Sequence, residues 1–380
     1  MRAPAIVRVR RLALPSILAI LAFIPGVPGA AQAQGLYSTS TLEGPRAAAV
    51  HKWMLSRLSS GFSGAVLIAE GDNVVLRAGY GVANAEKGIP WTSSIVGQIG
   101  SISKQFTAAA IMDLWDRKLL KPTDSVGKFF PTFTTKATRG ITIHQLLSHT
   151  SGLPDFIGDD FESEPRDSML KKALRRAPLS PPGALFSSSS VAFSVLAAIV
   201  EKVSGKTLDS YLHSRFFTPL KMQNTGYLLT NVARDSLAMG YFNGKPIGNV
   251  LDSIAPLGRD YWNLYGNGGM QSSPEEMFRW FRALRNGKVL TARSRAALWA
   301  PQSVRGNGAE YGYGWSIRRD SAGALEQVSH SGSDRVFVAT ITWIPQGDIF
   351  VYMVSNFGQE QYVAATVAGV LRIVRGGTAP

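Results

Sequence analysis

The chain has 380 residues, 45% of them hydrophobic and 17% charged, a globular composition with enough length for a large core in one or two domains. It contains no cysteine, which excludes cysteine nucleophiles, zinc fingers, iron–sulfur clusters and disulfide staples. The formal charge is +14, yet the basic residues are dispersed. The densest group, Lys171, Lys172, Arg175 and Arg176, is spaced like the solvated face of a helix. No nucleic-acid partner is expected; a mild attraction to an anionic envelope or wall polymer is the weaker consequence of this charge.

The first residues read as an export signal. Arg2, Arg8, Arg10 and Arg11 precede an apolar run from Leu12 to Ile24, and Ala31-Gln32-Ala33 then offers a small-x-small cleavage site. A membrane-spanning helix needs roughly 20 apolar residues, whereas this run has 13. The expectation is a cleaved signal peptide over 1–33 and a mature chain of 34–380 that is periplasmic or secreted. Loss of the four arginines leaves +10 on that chain, with no stable membrane anchor expected. Lipid attachment is excluded by the missing cysteine.

Apolar spacing at Ala48, Val50, Trp53, Met54 and Leu58 predicts a helix over 42–58. Two strand-like runs follow, 64–71 and 73–85, joined by the turn signal Gly71-Asp72. Three more candidate strands lie near the other end, at 311–317, 335–345 and 348–356, and Gln346-Gly347 suggests a second hairpin. A last helix is predicted over 361–374. Between these ends the apolar residues recur mostly at helical spacing. The fold class expected is α/β: an antiparallel sheet built from the N- and C-terminal parts, flanked by helices, with an all-helical insertion over roughly 115–300. The acidic segment 155–168 holds six carboxylates but lacks the DxDxDG spacing of a calcium hand, so it reads as a solvated loop.

The segment Gly100-Ser-Ile-Ser-Lys104 carries the sharpest chemical signal. Ser101 stands where a helix would start, in the place of an N-cap. The residues after it are apolar on nearly every side, so that helix should be buried. Lys104 in its first turn opposes the helix dipole and is costly to bury, where a structural account would rather have Glu or Ala. Residues three apart share a helical face, so Ser101 and Lys104 can meet. Desolvation and the positive helix end both favour neutral lysine, which could take the serine's proton. The alternative is an ordinary capping serine beside a snorkelling lysine.

Other stretches follow in order: LLSHTSGLPD over 146–155, Pro182-Gly183 before Phe186, Gly268-Gly269-Met270, Tyr311-Gly-Tyr-Gly-Trp315 and His330-Ser-Gly332. With Ser-x-x-Lys ahead of them, this set resembles the serine β-lactamase and penicillin-binding superfamily, in the branch of class C β-lactamases, D-alanyl-D-alanine carboxypeptidases and related esterases. The resemblance covers about 45–373. It implies a β-lactamase/transpeptidase-like fold with the site between the sheet domain and its helical insertion. It also implies that Ser101 is the nucleophile of an acyl-enzyme and Lys104 its activating partner. His330, Ser331 and Gly332 match the element on the strand edging the site, where a His and a hydroxyl could hold a substrate carboxylate. The N–H groups of Ser101 and Ser333 would receive the oxyanion. His149 would support a loop. No cofactor and no metal is expected, and the partner is a small-molecule or peptide substrate, possibly a cell-wall peptide.

One departure stands out in Phe186-Ser-Ser-Ser-Ser190. The family's tyrosine and asparagine would fall at Ser188 and Ser190. Three readings stay open. Ser188 could act as a short hydroxyl relay, with Ser190 toward the substrate. Tyr261 or Tyr265 could supply the missing phenol. Or catalysis is lost and the cleft only binds. Capping of the following helix by Ser189 or Ser190 competes with any catalytic role. The leading expectation is an exported serine hydrolase acting on small acyl esters, D-alanyl peptides or β-lactams; the rival is a non-catalytic homologue whose cleft only binds.

Overall fold

Alternation of apolar residues at the two ends of the chain builds one sheet. A computed structural model describes residues 37–306, 308–334 and 336–379; the signal peptide expected over 1–33 lies outside them. Nine strands pair antiparallel. In chain order they are β1 (Tyr37–Leu42), β2 (Gly64–Glu70), β3 (Asn73–Tyr80), β4 (Ser303–Val304), β5 (Glu310–Tyr311), β6 (Ser316–Arg319), β7 (Leu325–Asp334), β8 (Phe337–Ile344) and β9 (Ile349–Ser355). Their order across the sheet is β1-β3-β2-β9-β8-β7-β6-β5-β4. Both predicted hairpins form, β2–β3 and β8–β9. They are joined side by side through β2 and β9, in register from Gly64 opposite Ser355 to Glu70 opposite Ile349.

Both faces of the centre are covered, which is why β2 and β9 are apolar up to their last residues, Glu70 and Ser355. Ala65, Leu67 and Ala69 point into one core with Phe350, Tyr352 and Val354. Val66 and Ile68 point into the other with Val351 and Met353. The second core is closed by the terminal helices α1 (Gly44–Ser59) and, at the far end of the chain, a helix over Glu360–Val374. Ala47, Val50 and Met54 of the first meet Val363, Val370 and Ile373 of the second, and the Trp53 indole donates to Thr366 O at 3.1 Å.

The other face carries α2 (Lys104–Asp116), α3 (Ile143–Leu147), α4 (Ser190–Ser204) and α5 (Pro274–Arg285). The segment between α2 and α5 is not the all-helical insertion expected: helices alternate with long irregular stretches, and it also holds a short hairpin, Gly240–Phe242 with Lys245–Gly248. Every residue of α4 from Ser190 to Val200 is buried. Phe193, Leu196 and Ile199 each contribute about 1.5–3 kcal/mol by leaving water, which fixes α4 beside α2.

Candidate active site

A 3-10 turn over Gly100–Ser103 runs straight into α2. Ser101 is therefore inside the turn, not at the N-cap expected for it. The residue before α2 is Ser103, which has helical backbone angles and whose hydroxyl donates to Gly100 O at 2.7 Å. All of α2 from Lys104 to Leu114 is buried, as its apolar sequence requires.

Lys104 is buried with three neighbours for its amine. Its Nζ lies 2.8 Å from Ser101 Oγ, 3.1 Å from Asn267 O and 3.4 Å from Ser190 Oγ. The carbonyl of Asn267 is held in place by its own side chain, which donates to Ser194 Oγ at 2.9 Å and Asn263 O at 2.7 Å. One turn along α2, Thr107 donates to Gly266 O at 2.7 Å and ties the same loop down. Burial pushes the Lys104 pKa down to about 8, against a smaller opposing pull from Asp155 and Asp160.

The opposite wall is β7. Its pairing with β6 ends at Ser329, so residues 330–334 have β8 on one side and the Ser101 turn on the other. Two glycines allow that approach. A Cβ on Gly332 would lie 1.9 Å from Ile99 O and 2.8 Å from Ser101 N. Gly100 has φ +49°, and a Cβ there would lie 2.8 Å from Ser333 N. The backbone of Ser333 thus faces the turn that holds Ser101.

His330 on this strand has its Nδ1 2.7 Å from Ser331 O and its Nε2 3.2 Å from the Tyr311 hydroxyl. A carbonyl only accepts, so Nδ1 carries the proton and Tyr311 donates to Nε2. Surrounding protein, then the charges of Lys104 and Arg305, push the His330 pKa down to about 3, so the ring is neutral. His149 is also neutral. Its Nδ1 accepts from Ser189 N–H at 3.0 Å, and burial holds its pKa well below the usual value. It supports the serine loop, the part expected of it, and packs against Phe186, Phe193 and Tyr311.

The four serines separate into distinct places. Ser187 donates its N–H to His149 O at 2.8 Å. Ser188 is exposed at the mouth, and its hydroxyl makes no hydrogen bond among the described residues. Ser189 is the N-cap of α4, accepting from Ala192 N–H at 3.0 Å and donating to Pro154 O at 2.8 Å. Ser190, the first residue of α4, is buried; Asp155 accepts its N–H at 2.7 Å, and its hydroxyl is the one that reaches Lys104.

Ser101, Lys104, Ser188, His330 and Ser331 line one cavity of about 230 Å³. Ser190 lies against the lysine, and Gly332 and Ser333 form the strand edge. Tyr261 and Tyr265 are elsewhere: they line a separate groove of about 640 Å³, and the Tyr265 hydroxyl accepts from Asp209 N–H at 2.9 Å. The larger groove is therefore lined by neither Ser101 nor Lys104. The phenol brought to the Ser101 cavity is Tyr311, and Phe186 and Arg305 line it too. The Tyr311-Gly-Tyr-Gly-Trp stretch was a signal for the tyrosine. Nothing local in sequence marks Arg305, which reaches the cavity from β-strand connections about 200 residues beyond Ser101.

The profile of the beta-lactamase family matches residues 55–372. A putative penicillin-binding protein, PbpX of Bacillus subtilis (strain 168), is 30% identical over 260 residues, 68% of this chain and 62% of its own length. Penicillin-binding protein 4* of the same organism is 26% identical over 334 residues, 83% of this chain and 73% of that protein. The chain thus spans less than two thirds of the first of these relatives. Among solved structures, the penicillin-binding protein from Bacillus halodurans has a TM-score of 0.71 at 26% identity, covering 84% of this chain and 99% of that one. The octameric penicillin-binding protein homologue from Pyrococcus abyssi has a TM-score of 0.74 at 25% identity, covering 87% and 77%.

Proposed function

The chain belongs to the beta-lactamase family, and from that premise we propose that it is an exported serine hydrolase that works through an acyl-enzyme on Ser101. The observation that carries this reading is the buried Lys104 amine 2.8 Å from the Ser101 hydroxyl. A neutral amine has two N–H donors and one lone pair. Asn267 O and Ser190 Oγ take the donors, which leaves the lone pair for the Ser101 proton.

The steps follow from that arrangement. Lys104 removes the Ser101 proton as Oγ bonds to the acyl carbon of an ester or amide. The carbonyl oxygen, now negative, is received by the N–H groups of Ser101 and Ser333 across the Gly100–Gly332 contact. The C–O or C–N bond then breaks, and the leaving group takes the proton from Lys104. Water attacks the acyl-enzyme with Lys104 again as base, and Ser101 recovers its proton. The hydroxyl relay expected at Ser188 is assigned in this reading to Ser190 instead, because it is the Ser190 hydroxyl that lies 3.4 Å from Lys104 Nζ. Ser188, at the mouth, is placed to touch substrate. Small acyl esters, D-alanyl peptides and β-lactams are the proposed substrates, in the periplasm or outside the cell.

One observation favours a second reading, a cleft that binds without turnover: the serines at 188 and 190 supply neither a phenol nor an amide beside Lys104. A hydrolysis panel of p-nitrophenyl esters, D-alanyl dipeptides and nitrocefin decides. Turnover of at least one class that disappears in Ser101→Ala supports the hydrolase. No turnover in any class, with ligand binding unaffected by Ser101→Ala, supports the binding reading instead.

A further inference from the structure

Asp155, the last residue of the LLSHTSGLPD stretch, takes no direct part in the acylation steps, yet it is half-buried at the start of α4. The first turn of a helix exposes N–H groups that need acceptors. Here the Ser189 hydroxyl takes Ala192 N–H at 3.0 Å, the Asp155 carbonyl takes Val191 N–H at 3.2 Å, and the Asp155 carboxylate takes Ser190 N–H at 2.7 Å. Asp155 therefore grips the first two residues of α4 with both main chain and side chain. One of them is Ser190, whose hydroxyl lies 3.4 Å from Lys104 Nζ. A cap needs only an acceptor, which serine or asparagine would supply. A carboxylate adds a negative charge, and that charge acts on the buried Lys104 amine in favour of its protonated form. Asp160 acts in the same direction, less strongly, and with Asp155 borders Val191 and Ser194 of α4. Facing the amine from the other elements are His330 on β7 and His149 in the loop after α3, both neutral, and the positive Arg305. Of these charged groups, Asp155 is the one that also accepts from Ser190 N–H.

We propose that Asp155 is a positioning residue for acylation: its carboxylate keeps the Ser190 hydroxyl against the Lys104 amine and holds a fixed negative charge toward that amine. This rests on the hydrolase reading. When Lys104 takes the Ser101 proton it becomes an ammonium ion in a site with little water. A negative charge already in place lowers the energy of that ammonium as it forms. The same charge keeps the resting amine protonated to higher pH, so the base is less available at neutral pH and stronger once deprotonated.

The test is the second-order rate at which a neutral fluorophosphonate labels Ser101, from pH 5.5 to 9.5, in wild type, Asp155→Asn, Asp155→Ala and Asp155→Glu, with a melting temperature for each. Asp155→Asn keeps an acceptor for Ser190 N–H and removes the charge. Its midpoint is expected about 0.5 to 1 pH unit below that of wild type, so the ratio of the rate at pH 6.5 to that at pH 9.5 rises about 3- to 8-fold. Asp155→Ala removes acceptor and charge together, and its high-pH plateau is expected about tenfold below that of Asp155→Asn. Asp155→Glu restores the charge and should bring the midpoint back toward wild type. A residue that only caps α4 would lower the melting temperatures and leave the midpoint where it was. That result, a midpoint that rises in Asp155→Asn, or equal plateaus in Asp155→Asn and Asp155→Ala would overturn the proposal. Should Asp155→Ala not fold, the midpoints of Asp155→Asn and Asp155→Glu decide. Labelling that Ser101→Ala abolishes, with one midpoint shared by wild type and Asp155→Asn, means that the inference fails alone. No labelling of wild type, or labelling that survives Ser101→Ala, sinks the hydrolase reading instead.

Discussion

Acylation should switch on through Lys104 as pH rises, with a midpoint near pH 8. Burial of the amine brings its pKa from 10.5 to about 8. At pH 7 that makes about 10% of the molecules neutral at this site, against about 0.03% for a solvated lysine. Activity limited by the neutral form should climb about tenfold per pH unit up to pH 7, bend near 8 and level off above about pH 9. The histidines around the cavity do not compete in this window, because His330 titrates near 3 and His149 well below 6.5. The assay is kcat/KM on a p-nitrophenyl ester from pH 5.5 to 9.5, corrected for spontaneous hydrolysis. The same shift has a stability consequence. A lysine whose folded pKa lies below its unfolded one destabilises the fold while charged, and the cost, about 3 kcal/mol, is present below pH 8 and relieved as pH rises from 8 to 10.5. Lys104→Met should therefore lose activity yet gain stability at pH 7, by about 1 kcal/mol once the orphaned Asn267 carbonyl is subtracted, and lose that gain by pH 10. A midpoint near 6.5, an activity rise that continues without levelling to pH 9.5, or a Lys104→Met protein that keeps its rate would refute this account of the base.

Four other substitutions separate the parts of the cleft. Gly332→Ala drives a methyl into the backbone oxygen of Ile99, which no rotamer change can relieve, and should cut kcat/KM at least 100-fold or lower the melting temperature by several degrees; unchanged values in both would mean that β7 and the Ser101 turn do not touch. Along the serine run, Ser190→Ala should slow acylation more than Ser188→Ala, while Ser189→Ala should cost about 1 kcal/mol in a urea melt as the lost cap of α4. A larger rate loss in Ser188→Ala than in Ser190→Ala would return the relay to position 188.

Some of this was legible because it is local. Ser101 and Lys104 meet through their spacing alone, and β2, β3, β8 and β9 announce themselves by apolar runs and turn residues. The detail failed where a local rule met a different geometry. Ser101 reads as an N-cap, but a 3-10 turn precedes α2 and moves the helix start to Lys104. The strand β1, YSTSTL, is polar because it lies at the sheet's edge, so it gave no apolar alternation to read. Which serine reaches Lys104 depends on where α4 begins. With Ser189 as the cap, the first helical residue, Ser190, is turned inward and Ser188 is left at the mouth. Arg305 could not be read at all, and Tyr311 was visible only as part of an ordered motif, since where each side chain lands is set by how the short strands β4, β5 and β6 fold over the cleft.

The most direct test of the central claim is the mass of a covalent adduct. The protein, incubated with a fluorophosphonate or a penicillin probe and digested, should show the probe mass on the peptide that contains Ser101, formed faster at pH 8.5 than at pH 6.5 and absent in Ser101→Ala. An adduct on another residue, an adduct that persists in Ser101→Ala, or none with either probe would contradict it.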